Sequence, residues 1–424
     1  MPKREIIRPE GMPVPHPSFS PVLRYGRWVF VSGVMATDYE RGLAREARGN
    51  SAVPLAGEHP MLLEGRQVLR LLERAAKAAG TSLANAVRID QFPTSPAMVD
   101  PYHEERKVAI DPPRPASTSV VIPGLMAPEC NTEVELVCIL PEPGFEKEGI
   151  ATDRIPQPIG GYAPAIRAGD FVFLAGQVPS DFTTGLAPQA RVNPNFWEGN
   201  PIDRQARYTL DNLKLTLEAA GSSLDNVVKA GVYLRDLNDI PRLDRVWREY
   251  FPKAPPARTF FPVERIVVPD ALLEITLVAV RDGGEVRKEA IATDEAPAPL
   301  FHESQAVRAG EIVFLSGQLA ADSDGLVAAA RPSPHYPYAV NSPAEQMRQI
   351  MDNAQAICRA AGTDLRHALR LLTMHTDLRE YACSVDVRRS CFPDGQPATT
   401  TIGVRGPLAV PGCTMAADLW VGMP

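Results

Sequence analysis

Three strings decide the architecture: VFVSGVMATD at 29–38, VFLAGQVPSD at 172–181 and VFLSGQLAAD at 313–322. Each starts as an apolar, β-branched run and breaks at a glycine, the pattern of a strand entering a turn. The neighbours of these strings recur in the same order. AAKAAGTSL, TLEAAGSSL and ICRAAGTDL set Gly80, Gly221 and Gly362 at intervals of 141 residues, and RPASTS, PPARTF and QPATTT set Ala116, Ala257 and Ala398 at the same interval. The strand glycines Gly33, Gly176 and Gly317 are 143 and 141 residues apart, a two-residue length change within the first copy. Several motifs in one order at one period define a tandem triplication. That period is far longer than the roughly 20–50 residues of a solenoid repeat, so each copy is expected to be a domain with its own core.

The expected domains are 1–142, 155–281 and 298–424. The stretches between them, PEPGFEKEGIATDRIP (141–156) and DGGEVRKEAIATDEAPAP (282–299), are polar, rich in Pro or Gly and share IATD, and read as linkers. Within the second copy, DFVFLA (170–175) reads as a strand, and 203–221 as a helix with Leu210, Leu213 and Leu217 on one face and Gly221 as its C′ residue. NVVKAGVYLRDL (226–237) reads as a strand and DIPRLDRVWREYF (239–251) as a helix opened by Asp-Pro. ARTFFPVERIVV and ALLEITLVAV read as a closing strand pair, separated by a turn at Pro269-Asp270. The expected fold class is α+β, with both helices of each copy on one face of a sheet.

Composition narrows the function. The 424 residues carry 44 Lys+Arg against 51 Asp+Glu, a net charge of −7, with no basic cluster interleaved with aromatics, which argues against nucleic acid as the main partner. No stretch approaches the ~20 apolar residues of a membrane span, and no apolar run follows the basic N-terminal residues as a secretory signal requires. A cytoplasmic protein is expected. The six cysteines (Cys130, Cys138, Cys358, Cys383, Cys391 and Cys413) form no CxxC pair and read as small buried hydrophobes. No His/Asp/Glu cluster has ligand spacing, so neither a metal nor an organic cofactor is expected.

Residues 160–280 contain GGYAPAIRAGDFVFLAGQVP, LDNLKLTLEAAGSSLDNVVK, VYLRDLNDI, PPART and LLEITLVAV. On these strings the second copy resembles the Rid (YjgF-type) family of enamine/imine deaminases over essentially a whole family subunit, and the other copies match more loosely. The resemblance implies a chorismate-mutase-like fold and, since family members form trimers with clefts between subunits, a single-chain pseudo-trimer here, with further homo-oligomers open. It implies that the arginine of the P-A-R-[ST] strand, Arg258 followed by Thr259, grips a substrate carboxylate. Ser117 and Thr399 stand at the equivalent places. It implies that the acidic residue of the last strand, Glu274, handles the hydrolytic water. The first copy has Glu133 there and the third has Met415-Ala416-Ala417. The family tyrosine matches Tyr162, with Phe19 and Glu303 in the other copies.

One complete site is therefore expected, with Arg258 and Glu274 catalytic and with Tyr162, Gly176, Thr259 and Asp244 contacting the substrate. Imine hydrolysis needs a held acid group and a positioned water: a guanidinium supplies the first at two points, a carboxylate acting as general base the second. Glycine at 176 lets the backbone approach closely. The expected partner is a small-molecule carboxylate, and the expected reaction yields a keto acid and ammonia without a cofactor. A non-catalytic carboxylate-binding protein and a hydrolase of another C–N bond are the alternatives. Read without the resemblance, Arg258 and Glu274 make a structural ion pair on neighbouring strands. Departures from the family are Ala175 in place of a frequent Ser, Asp244 in place of an Asn, and a long loop at 189–201 in which Phe196 and Trp197 read as anchors.

Overall fold

A computed structural model of the chain describes residues 2–13, 19–50, 52–53, 56–193, 195, 199–338 and 340–424, so Phe196 and Trp197 lie outside the described residues. Each copy contributes two principal helices: α1 (Pro60–Ala78) and α2 (Val99–Ala109), α3 (Pro201–Ala219) and α4 (Ile240–Tyr250), α5 (Ser342–Ala360) and α6 (Tyr381–Ser390). The sequence starts and stops them locally. The Asn200 side chain accepts from the Ile202 N–H with Pro201 at the first helical position, and Asn341 does the same for Ala344. The expected terminating glycines Gly80, Gly221 and Gly362 have φ of +84°, +71° and +79°, the left-handed geometry of a C′ residue.

The second domain shows how the sheet positions the site. Its strands lie in the order Ala257–Pro262, Val227–Leu234, Leu273–Val280, Phe171–Leu174, Ala165–Ala168, Lys147–Ile150. The expected closing pair does not form. Ala257–Pro262 runs parallel to Val227–Leu234, and Leu273–Val280 lies antiparallel on the other side of that strand. The parallel step is the one that α4 connects, as parallel neighbours require a long crossover. Between the two strands, Arg265–Ile266 leaves the domain and pairs with Val120 and Val121 of the first.

The linker reading also needs correction. Lys147–Ile150 and Lys288–Ile291 lie within 141–156 and 282–299, yet they are the outermost strands of the second and third sheets, paired with Ala165–Ala168 and Ala306–Ala309. Arg4–Ile7 does the same in the first sheet. Lys147–Ile150 and Lys288–Ile291 are four residues long and each opens with Lys-Glu, as suits a sheet edge, and that composition resembles a linker.

The three domains contact one another head to tail in a closed ring. The Gly176 N–H donates to the Ser117 carbonyl at 2.9 Å, and the Gly317 N–H to the Arg258 carbonyl at 3.0 Å. The Thr399 N–H donates to the Ser32 hydroxyl at 2.7 Å, just as the Arg258 N–H donates to Ser316 at 2.9 Å. Trp28, Phe30, Phe173, Phe314 and Trp420 fill the centre, drawn from all three domains.

Around this apolar centre each joint buries its own ions. Arg88 pairs with Asp90 at 2.7 Å and donates across the first joint to Thr276 at 3.2 Å. Lys229 meets Asp418 across the second at 2.5 Å. Arg370 meets Glu135 across the third and Asp418 within its own domain at 2.6 Å. Buried charges held this way are strongly destabilising when one partner is lost.

Candidate functional site

Alternation along a strand separates the two expected catalytic residues. Arg258 stands opposite Ala230 and Glu274 opposite Tyr233, three residues further along the strand that lies between theirs. An odd offset in a period-two element puts them on opposite faces of one sheet. Three residues at ~3.3 Å and two strand spacings of ~4.8 Å set their backbones about 14 Å apart. The expectation of one site holding Arg258, Glu274, Tyr162, Gly176, Thr259 and Asp244 is overturned, and so is the ion-pair alternative. The six residues divide between two joints of the ring.

Arg258 belongs to the joint of the second and third domains. Its guanidinium is fully buried over the rings of Phe260 and Trp247, 4.6 and 4.8 Å from their centroids. Nη2 donates to Asp244 at 2.6 Å and Nε to Glu303 of the third domain at 3.2 Å, while Nη1 has no partner among the described residues. Burial pushes the Glu303 carboxyl upward despite Arg258. Burial acts the same way on Asp244, but hydrogen bonding to Arg258 and its charge prevail and hold that carboxyl below its ordinary value. A cavity of about 90 Å³ opens here, lined among others by Arg258, Phe260, Glu303, Ile357, Met374 and Ala416. Ala416 stands opposite Met374 as Glu274 stands opposite Tyr233, so this cleft has no last-strand acid. Thr259 faces away from the cavity's cation, donating to Asp418 at 2.5 Å and accepting from Lys229 at 2.8 Å.

Glu274, Gly176 and Tyr162 belong to the joint of the first and second domains. A Cβ on Gly176 would lie 1.7 Å from Glu274 Oε1, so only glycine admits that carboxyl over the strand whose N–H holds Ser117. Burial, reinforced by Asp90 and opposed by Arg88, pushes Glu274 up to about 8. The Tyr162 hydroxyl is pushed upward by burial and by Glu274, and is held back by Arg106.

The first domain supplies the opposite wall. Arg106 of α2 is fully buried, donating through Nη1 to the Ser117 hydroxyl at 2.5 Å and through Nη2 to the Gly160 carbonyl at 2.7 Å. His103, one turn earlier, contacts Ser119 at 3.0 Å. Burial and then Arg106 and Lys107 drive its pKa well down, so the ring is neutral near pH 7. Sequence reasoning placed neither Arg106 nor His103 in the site. The signal for Arg106 is positional: it stands 141 residues before Trp247 and 282 before Arg388.

The third joint repeats part of this. Glu133 lies over Gly33, where a Cβ would come within 1.8 Å of Oε1, and burial and Glu135 push it up to about 8. Thr399, Arg388 and His375 lie on the third-domain side, and burial and Arg388 take His375 down to about 4. Among the described residues no group of His, Cys, Asp and Glu is arranged to hold a metal, and no helix is long and apolar enough to cross a membrane.

Repeated α+β domains that meet head to tail, with a cavity at the joint of the second and third, define the class, and comparison with known proteins identifies it. The family model described as Endoribonuclease L-PSP matches residues 152–281 and 293–411, and the chain belongs to that family. A RutC family protein of Pyrococcus horikoshii is 43% identical over 136 residues, covering 32% of this chain and 99% of that protein. The 2-iminobutanoate/2-iminopropanoate deaminase of Escherichia coli is 33% identical over 135 residues, covering 31% of this chain and 96% of the relative. Among solved structures, a putative endoribonuclease of Thermotoga maritima is 33% identical, covers 32% of this chain and 98% of its own, and has a TM-score of 0.28. Both family matches lie after residue 151.

Proposed function

We propose that the chain is a cofactor-independent hydrolase that converts an imine or enamine of a small carboxylic acid to the keto acid and ammonia, and that it acts in the cleft between the first and second domains. The observation that carries this reading is Glu274: a buried carboxyl pushed up to about 8 and seated on a glycine at the joint. Such a group both donates and accepts a proton near neutral pH. Protonated, it hands a proton to the imine nitrogen; ionised, it takes one from the water that adds to the carbon. Collapse of the resulting carbinolamine expels ammonia and leaves the C=O. The similarity to the Escherichia coli 2-iminobutanoate/2-iminopropanoate deaminase supports this substrate class. A net charge of −7 without a basic cluster weighs against the ribonuclease activity in the family's description.

The test is release of keto acid from imines generated in situ from amino acids, by wild type, Glu274→Gln and Arg258→Lys. The glutamine variant is expected to lose about 10²–10⁴-fold in kcat, and the lysine variant to keep its rate. The opposite pattern returns the chemistry to the Arg258 cavity. A second reading, carboxylate binding without turnover at Arg258, draws support from its unpartnered Nη1 and from the alanine at 416.

A further inference from the structure

Arg106 is a fully buried guanidinium with no carboxylate partner among the described residues; its two donors end on a hydroxyl and a carbonyl, and Nε on nothing. Three other buried arginines of the joints are differently placed: Arg258 holds two acids, Arg370 two, and Arg88 one. A buried cation left without an anion is costly, and an anion arriving from outside would relieve that cost.

Its position says what arrives. Arg106, Trp247 and Arg388 are each the eighth residue of α2, α4 and α6. Ser117, Arg258 and Thr399 are each the second residue of the edge strand above. In the second domain the strand arginine lies on the helix tryptophan, and in the first the helix arginine reaches the strand serine. Where the strand has a short hydroxyl, the helix has the guanidinium. The surroundings change in step. At the same 141-residue interval, His103 replaces Asp244 and Tyr162 replaces Glu303, removing both carboxylates that occupy Arg258.

We infer that Arg106 anchors the carboxylate of a small 2-oxo or 2-imino monocarboxylic acid, having taken over from the helix the role that the strand arginine has lost. The ligand lies between Arg106 with Ser117 on one wall and Tyr162 with Glu274 on the other, its reacting carbon toward the glutamate. Arg258, occupied by Asp244 and Glu303, is not the anchor. This rests on the cleft assigned under the proposed function but does not depend on turnover.

Calorimetry with pyruvate, a 2-oxo monocarboxylate that the reaction does not consume, tests it on the full chain. Arg106→Met is expected to raise Kd by about 30-fold or more, the loss of hydrogen bonds to a charged group, while Arg258→Lys leaves it unchanged. The double variant Arg106→Met/Ser117→Arg returns a guanidinium to the cleft and is expected to regain binding. It is also the deciding protein if Arg106→Met alone does not fold. Undiminished binding by Arg106→Met, loss of binding by Arg258→Lys, a folded double variant that fails to bind, or a wild type that binds no pyruvate would each overturn the inference. Binding through Arg106 by a protein that hydrolyses no imine would sink the proposed function and leave the anchor standing.

Discussion

Replacing Glu274 with Gln removes one titrating group while keeping its shape, so stability against pH reads that group directly. The native carboxyl, pushed by burial up to about 8 from 4.5, keeps its proton over an interval in which the unfolded chain has lost it. Unfolding then releases a proton, and stability present below pH 4.5 is lost as pH rises towards 8. Each pH unit in that window costs about 1.4 kcal/mol, roughly 5 kcal/mol across it, a large share of the ~5–15 kcal/mol that typically holds a domain together. Glu133, also at about 8, adds a parallel loss that the variant keeps. Relative to wild type, Glu274→Gln is therefore expected to gain roughly 4 kcal/mol between pH 5 and pH 8. Urea unfolding at pH 5, 6, 7 and 8, followed by far-UV circular dichroism, measures the difference. Parallel stability curves for the two proteins would refute the buried, protonated glutamic acid and with it the proton-transfer role.

Gly176→Ala would drive a methyl to within 1.7 Å of Glu274 Oε1, so the carboxyl must leave its place. Imine hydrolysis is expected to fall about 100-fold, as for a misplaced reacting group, in a protein whose circular dichroism matches wild type. Arg258→Met leaves Asp244 with Arg248 but strands Glu303 without its paired cation, and is expected to cost about 3–5 kcal/mol in denaturant unfolding, with part recovered by adding Glu303→Gln. Lys229→Met leaves Asp418 with Arg370 and Thr259, so its cost should be about 1–3 kcal/mol. Thermal unfolding should place it above Arg370→Met, which leaves Glu135 without a cation while Asp418 keeps Lys229 and Thr259.

The triplication was legible because every copy must repeat the same strand end, helix stop and edge strand, and these have strong local signatures. Gly80, Gly221 and Gly362 are examples: a left-handed C′ position selects glycine whatever the rest of the fold does. Strand pairing was less legible. ARTFFP and LLEITLVAV look like two arms of a hairpin, but the choice between that and a parallel neighbour depends on where α4 returns the chain. The site suffered most. Residues of one motif set were taken to share one cleft, whereas an odd offset across the sheet sends Arg258 and Glu274 to different faces and so to different neighbours. Arg106 was missed because its meaning lies in a helix-to-strand contact that no local pattern announces. The complementary pattern of Arg106, Trp247 and Arg388 against Ser117, Arg258 and Thr399 was nevertheless present in the repeat.

The ions at the joints bear on how such a chain can have come about. In a ring of identical subunits every joint is a copy of the others, and a substitution at one is imposed on all three. Fusion lifts that constraint. A ring built only from the second domain would set Lys229 against Thr276, a buried ammonium facing a hydroxyl, whereas here it meets Asp418. A ring of second domains alone would leave that ammonium without its carboxylate, so the order of the three units along the chain has become part of the lock. Each joint is then free to keep, trade or abandon its arginine and its acid, and this chain has settled each one differently.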